Sequence, residues 1–102
     1  METPLELSFR GLERTEDRED LVREKAAKLE QICDTITSCR VAVETAQESQ
    51  QTGNALRMRV EVRVPRHNEI VVTQKLDSDQ AADPFPRLVR DTFEAVQRKL
   101  RE

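Results

Sequence analysis

Nine residues in the middle of the chain, Leu56-Arg57-Met58-Arg59-Val60-Glu61-Val62-Arg63-Val64, alternate apolar and charged side chains without a break. Successive side chains of an extended strand point to opposite faces, so this segment predicts a strand with one buried face and one face in water. A strand divided in this way belongs to a sheet covered on one side only. Its neighbours must carry the same division. Cys39, Val41 and Val43 alternate with Arg40, Ala42 and Glu44, and Ile70, Val72 and Leu76 mark a further strand. Leu5, Leu7 and Phe9 alternate with polar residues near the front of the chain, where Gly11 ends the run.

Two other segments carry the helical period. Thr15 offers a hydroxyl cap, and Glu16 and Asp17 place negative charge in the first turn, favourable to the helix dipole. Leu21, Val22, Ala26, Leu29, Ile32 and Cys33 then fall at steps of three and four, which predicts an amphipathic helix ending near Asp34. Asp83-Pro84 predicts a second helix start, an acidic cap followed by proline at the first helical position, with Pro86 still in the first turn. Phe85, Leu88, Val89, Thr92, Phe93, Val96 and Leu100 form its apolar stripe. The polar run Gln47 to Asn54, which contains Gly53, reads as a long hairpin loop. Pro65-Arg66-His67-Asn68 reads as a turn with Asn68 at positive φ, and Asp77 to Asp83 as a polar connection.

The resulting order is β-α-β-β-β-α in a chain of 102 residues, enough for one domain, 1–102. The first strand, first helix and second strand form a crossover unit, which predicts parallel neighbours joined by a right-handed connection. Strands two, three and four form a meander. Each helix has one stripe to bury and only one sheet face is apolar, so both helices must pack on that face. The predicted fold is an α+β two-layer sandwich, a four-stranded sheet with two helices on one side.

Catalysis finds no foothold in this sequence. The single histidine, His67, lies in the predicted turn between Arg66 and Asn68, and the two glycines, Gly11 and Gly53, make no phosphate-cradling loop. Carboxylates are many but scattered over helix surfaces. Cys33 and Cys39 both fall on apolar faces and read as reduced, buried thiols; with one histidine the chain lacks the ligands for a zinc site. No cofactor and no small-molecule substrate are expected. No run approaches the ~20 apolar residues of a membrane span, and Met1-Glu2-Thr3-Pro4 has no apolar signal segment. A cytoplasmic protein that touches no membrane is the expectation.

A binding role must therefore rest on surface charge. Lysine and arginine number 17 against 20 carboxylates, a net charge of −3, so any attraction for nucleic acid depends on local clustering. On the second helix Arg87, Arg90, Arg98 and Arg101 fall opposite the apolar stripe, with Asp91, Glu94 and Gln97 among them. Spacing alone favours a solvated face laced by the i,i+4 pairs Arg87–Asp91, Arg90–Glu94 and Glu94–Arg98. On the first helix Lys25 and Lys28 lie at one edge of the apolar stripe. Either their stems cover core surface, or they rim a groove between the helices and face the arginines, an arrangement suited to a phosphate backbone. Glu16, Asp17, Glu19, Asp20 and Glu24 load the front of that helix with negative charge. Arg57, Arg59 and Arg63, with Arg40 beside them, predict a second positive patch on the open sheet face. The only aromatics, Phe9, Phe85 and Phe93, all lie on core stripes, so that face offers no stacking platform for bases.

The same residues carry a family likeness. Arg23-Glu24-Lys25-Ala26-Ala27-Lys28-Leu29-Glu30, Ile36-Thr37-Ser38-Cys39-Arg40-Val41, Val64-Pro65 with Glu69-Ile70-Val71-Val72, and Phe85 to Leu100, in this order, resemble the ribosome hibernation promoting factors. That family is also called ribosome-associated translation inhibitor or sigma-54 modulation protein. The resemblance covers nearly the whole chain and implies a short form without the extra C-terminal domain. It implies a protein that binds the small ribosomal subunit in the channel used by mRNA and tRNA and silences translation under stress. It further implies rRNA contacts by basic residues of both helices, with Lys25, Lys28 and Arg98 at matching positions. Other positions often basic in the family read Gln31, Ala95 and Glu102 here.

The expected rRNA-binding set is thus Lys25, Lys28, Arg87, Arg90, Arg98 and Arg101. The alternative is a protein-interaction or self-association module of the same fold, a monomer that dimerises weakly where the long third strand overhangs shorter neighbours.

Overall fold

The computed structural model describes residues 3–45, 55–65, 68–76 and 83–102. The elements follow the expected order: β1 (Glu6–Arg10), α1 (Glu16–Ile32), β2 (Ser38–Thr45), β3 (Leu56–Arg63), β4 (Ile70–Leu76) and α2 (Phe85–Arg101). The expected loop Gln47 to Asn54, the Arg66–His67 part of the turn and residues 77–82 of the last connection lie outside the described residues.

The four strands form one mixed sheet in the order β1-β2-β3-β4. β1 and β2 are parallel, with Leu7 beside Val41 and Phe9 beside Val43. β2, β3 and β4 are antiparallel in turn, and Val41, Val60 and Val72 share one register row. This alternation sorts the sheet as the period of β3 requires. Val41, Val43, Met58, Val60 and Val62 are at most 1% exposed, while Arg57, Arg59 and Arg63 face water. β2 matches β3 residue for residue from Ser38–Arg63 to Thr45–Leu56, and β4 covers β3 from Leu56 to Val62. Among the described residues the neighbours of the third strand are not shorter in the way an overhang requires, and the free edges belong to β1 and β4.

Both helices cover the apolar face. Val22, Ala26 and Leu29 of α1 and Phe85, Leu88, Val89, Phe93 and Val96 of α2 join the sheet valines in a single core. α2 lies against β3 and β4 and packs beside α1. Thr92, the one fully buried polar residue described, donates its hydroxyl to the Leu88 carbonyl at 2.7 Å, so its burial leaves no group unsatisfied.

The helix starts follow the sequence with one shift. Thr15 Oγ1 accepts the Arg18 N–H at 3.2 Å and caps α1. α1 ends at Ile32, two residues before the expected Asp34, because Cys33 leaves with extended dihedrals (φ −141°, ψ 104°). At α2 the cap position falls on Pro84 rather than Asp83, yet the Asp83 carboxylate accepts the Phe85 N–H at 3.0 Å and serves as expected. Gly11, at φ 72°, turns the chain out of β1 into the connection to α1. Cys33 and Cys39 are free thiols; Cys39 is buried, whereas Cys33 is only half-buried, its Sγ 3.2 Å from Thr35 Oγ1.

Candidate nucleic-acid interface

α1 and α2 begin side by side. Arg18, in the first turn of α1, donates to the Glu13 carbonyl at 2.7 Å. Its guanidinium lies 5.7 Å from the centre of the Phe85 ring and 3.9 Å from the Asp83 carboxylate. The edge of α1 that carries Arg18 is therefore the edge turned toward α2. Lys25 stands seven residues beyond Arg18, two helical turns along that edge, and Lys28 follows one turn later on its outer flank. Lys25 is half-buried and Lys28 exposed.

On α2 the buried stripe runs through Phe85, Leu88, Val89, Thr92, Phe93 and Val96. Arg87, Arg90, Arg98 and Arg101 are exposed on the opposite side. Because the helices pack along one another and start together, all six predicted cations belong to one outer helix layer.

Ion pairing divides them into two groups. Arg87 and Arg90 share one carboxylate, Asp91, at 3.7 and 3.4 Å. Lys25, Lys28, Arg98 and Arg101 make no ion pair with a described carboxylate. Of the three i,i+4 pairs expected on α2, only Arg87–Asp91 forms; Arg90 turns instead to the adjacent Asp91, and Glu94 pairs with neither Arg90 nor Arg98 among the described residues. Exposed pairs of this kind are worth little, so losing two of them costs the helix almost nothing.

Of these four cations, Arg98 and Arg101 stand in the last turn of α2, while Lys25 and Lys28 lie in the second half of α1, short of its last turn. The last turn of α2 holds Arg98, Lys99 and Arg101, where positive charge complements the negative end of the helix dipole. Lys99, exposed among them, was not in the expected set; the signal that would have found it is its place in that basic last turn. The first turn of α1 holds Glu16, Asp17 and Glu19. Arg14 and Arg23 hydrogen-bond Glu19 at 2.9 and 3.3 Å, and these bonds hold its carboxyl below the usual range. The acidic first turn belongs to α1 and the basic last turn to α2, so the charge of the helix layer is uneven between these two opposite ends, while the first turn of α2 has no acidic residue and the last turn of α1 no basic one.

The second positive patch expected on the open sheet face is corrected by its register. Arg40 bonds Glu6 at 2.8 Å and lies 3.8 Å from Glu61. Arg57 meets Glu44 at 3.2 Å, Arg59 meets Glu61 at 3.1 Å and Arg63 meets Glu69 at 3.0 Å. The bond from Glu6 raises the Arg40 pKa further. All four arginines face water as expected, but each is already paired: Arg40 and Arg57 with cross-strand neighbours that register sets, Arg63 with Glu69 just before β4, and Arg59 with Glu61 two residues along its own strand. Among the described residues, no helix is long and apolar enough to cross a membrane.

A four-stranded mixed sheet with two helices on one face, in the order β-α-β-β-β-α, defines the class of fold as a two-layer α+β sandwich. The particular family is clear: residues 5–102 match the family described as Sigma 54 modulation protein / S30EA ribosomal protein, and the chain belongs to it. No curated protein matches the chain. Among solved structures it is similar to a ribosomal subunit interface protein from Coxiella burnetii, with TM-score 0.73 and 11% identity over 95% of this chain and 92% of that one. It is also similar to the N-terminal domain of Protein Y from Thermus thermophilus, with TM-score 0.72 and 21% identity over 93% and 91% of the two chains. At these identities the likeness shows the shared fold.

Proposed function

We propose that this protein binds the small ribosomal subunit in the cytoplasm and inactivates translation, its helix layer held against rRNA phosphates. The observation that carries the reading is the set Lys25, Lys28, Arg98 and Arg101, exposed or half-buried on one layer and free of described carboxylates. Cations already matched to a carboxylate must give up that partner to reach a phosphate; these four need not. Family membership supplies the ribosomal context. The likeness to a ribosomal subunit interface protein agrees with it. Arg87 and Arg90 serve as secondary contacts, since they share Asp91. The absence of exposed aromatics argues for recognition of shape and backbone over base identity.

Co-sedimentation with purified small subunits tests the reading. Binding should fall steeply as salt rises, and Lys25→Glu combined with Arg98→Glu should weaken it by about tenfold or more at constant salt. Association that survives both changes unaltered defeats the proposal.

A further inference from the structure

The open face of the sheet contains a shallow depression of about 520 Å³ between two rows of charge. Its floor is the register row Ser8, Ala42 and Thr73, three short side chains. The fourth member of that row, Arg59, leans along its own strand to Glu61. The wall toward Thr45 is the row Arg10, Glu44 and Arg57, which sets two arginines against one carboxylate. Arg57 engages Glu44 at 3.2 Å, while Arg10, exposed at the end of β1, makes no ion pair with a described carboxylate. The other wall is net acidic, with Arg40 lying between the two carboxylates Glu6 and Glu61, so it favours the hydroxyl and N–H groups of an occupant over its carboxylates.

We propose that this trough docks an extended acidic segment of a partner protein, whose carboxylates pair with Arg10 and Arg57. Rows on one sheet face recur about every 7 Å along the strands, so the two walls stand roughly 13 Å apart. That gap admits one extended chain with its side chains. The four strands span about 14 Å, the reach of roughly four extended residues. The guanidinium fork matches a carboxylate with two parallel hydrogen bonds. The mixed signs favour a peptide over a phosphate chain. Glu44 sits inside the cationic wall, where a peptide can offer it an N–H or hydroxyl but a phosphate group presents only acceptors. Stacking cannot compensate, because every aromatic of the chain lies in or against the core. The trough lies on the sheet face opposite the helix layer, so this inference stands independently of ribosome binding.

Fluorescence anisotropy of the full chain tests it, using a labelled peptide of alternating Asp and Ser and a labelled oligouridylate of equal charge. The peptide should bind, and Arg10→Glu, which breaks no ion pair among the described residues, should weaken it by about tenfold. Arg57→Gln should weaken it as well, whereas Lys25→Glu with Arg98→Glu should leave it unchanged. Three results would overturn the proposal: no peptide binding or binding indifferent to Arg10, oligouridylate binding that is tighter and lost with Arg10→Glu, or concentration-dependent self-association abolished by Arg10→Glu. The last would make a second copy the occupant.

Discussion

The rings of Phe9 and Phe85 stack with centroids 6.0 Å apart and 23° between their planes. This pair fastens β1, an edge strand held laterally only by β2, to the entry of α2. Arg14 lies over the Phe9 ring and Arg18 over the Phe85 ring, each 5.7 Å from the ring centre. Phe85 is 1% exposed, so Phe85→Ala should lower the unfolding free energy by ~3–5 kcal/mol through lost transfer energy and the cavity left behind. Arg18→Ala should cost ~0.5–1 kcal/mol, because its cation–π contact is partly solvated and its ion pair is long. Urea unfolding followed by circular dichroism measures both, and equal losses would contradict this ranking.

Gly11 pays no penalty for its positive φ, but any other residue would. A Cβ there would also run into Thr45 Oγ1 at the end of β2. Gly11→Ala should cost ~1–2 kcal/mol from the backbone alone, with the steric conflict added. Adding Thr45→Ala should recover the steric part and leave the backbone part, which a double-mutant cycle of urea midpoints resolves.

Burial pushes the Cys39 thiol from 9.0 up to about 12, and Glu30 adds a smaller push in the same direction. Native protein should therefore react with a thiol reagent such as DTNB at Cys33 while Cys39 stays silent until the chain unfolds. The sign for stability follows from linkage. The folded state keeps the Cys39 proton when the unfolded chain has lost it, so this contribution is whole below pH 9 and declines as pH rises toward 12. Thermal melts should show a steeper fall in stability over that window in the wild type than in Cys39→Ala. Equal slopes would place the cause elsewhere.

The two groups of helix cations should behave unequally. Replacing Arg98 and Arg101 by Glu should reduce ribosome association more than replacing Arg87 and Arg90, whose charge Asp91 already offsets. The slope of log affinity against log salt should fall by about 1 for each phosphate contact removed. Co-sedimentation across a salt series reads both effects. A larger loss for Arg87 and Arg90 would move the contact surface toward the start of α2.

The fold was legible because its strongest constraint is local. The unbroken alternation of β3 fixes which face is buried, and the two helical stripes then have one surface to cover. The site was legible only in part. Helical periodicity places Lys25, Lys28, Arg98 and Arg101 on the outer layer, since the partners of a helical residue are drawn mainly from its own turns. The arginines of the sheet were misjudged for the opposite reason. Arg40 meets Glu6, 34 positions away in the chain, and no periodicity along one strand reveals that pairing. The shallow depression between the charge rows escaped notice likewise, for it exists only once Ser8, Ala42 and Thr73 are aligned across separate strands.

The lopsided helix layer has a consequence for approach as well as for contact. The acidic first turn of α1 and the basic last turn of α2 lie at opposite ends of the layer and give it an electric moment, on which a large polyanion exerts a torque before any atoms touch. The molecule would arrive with the tail of its last helix leading and the entry of its first held back, so one orientation is selected during diffusion. Raising ionic strength would then slow capture by randomising that heading, even where the final contacts remained intact.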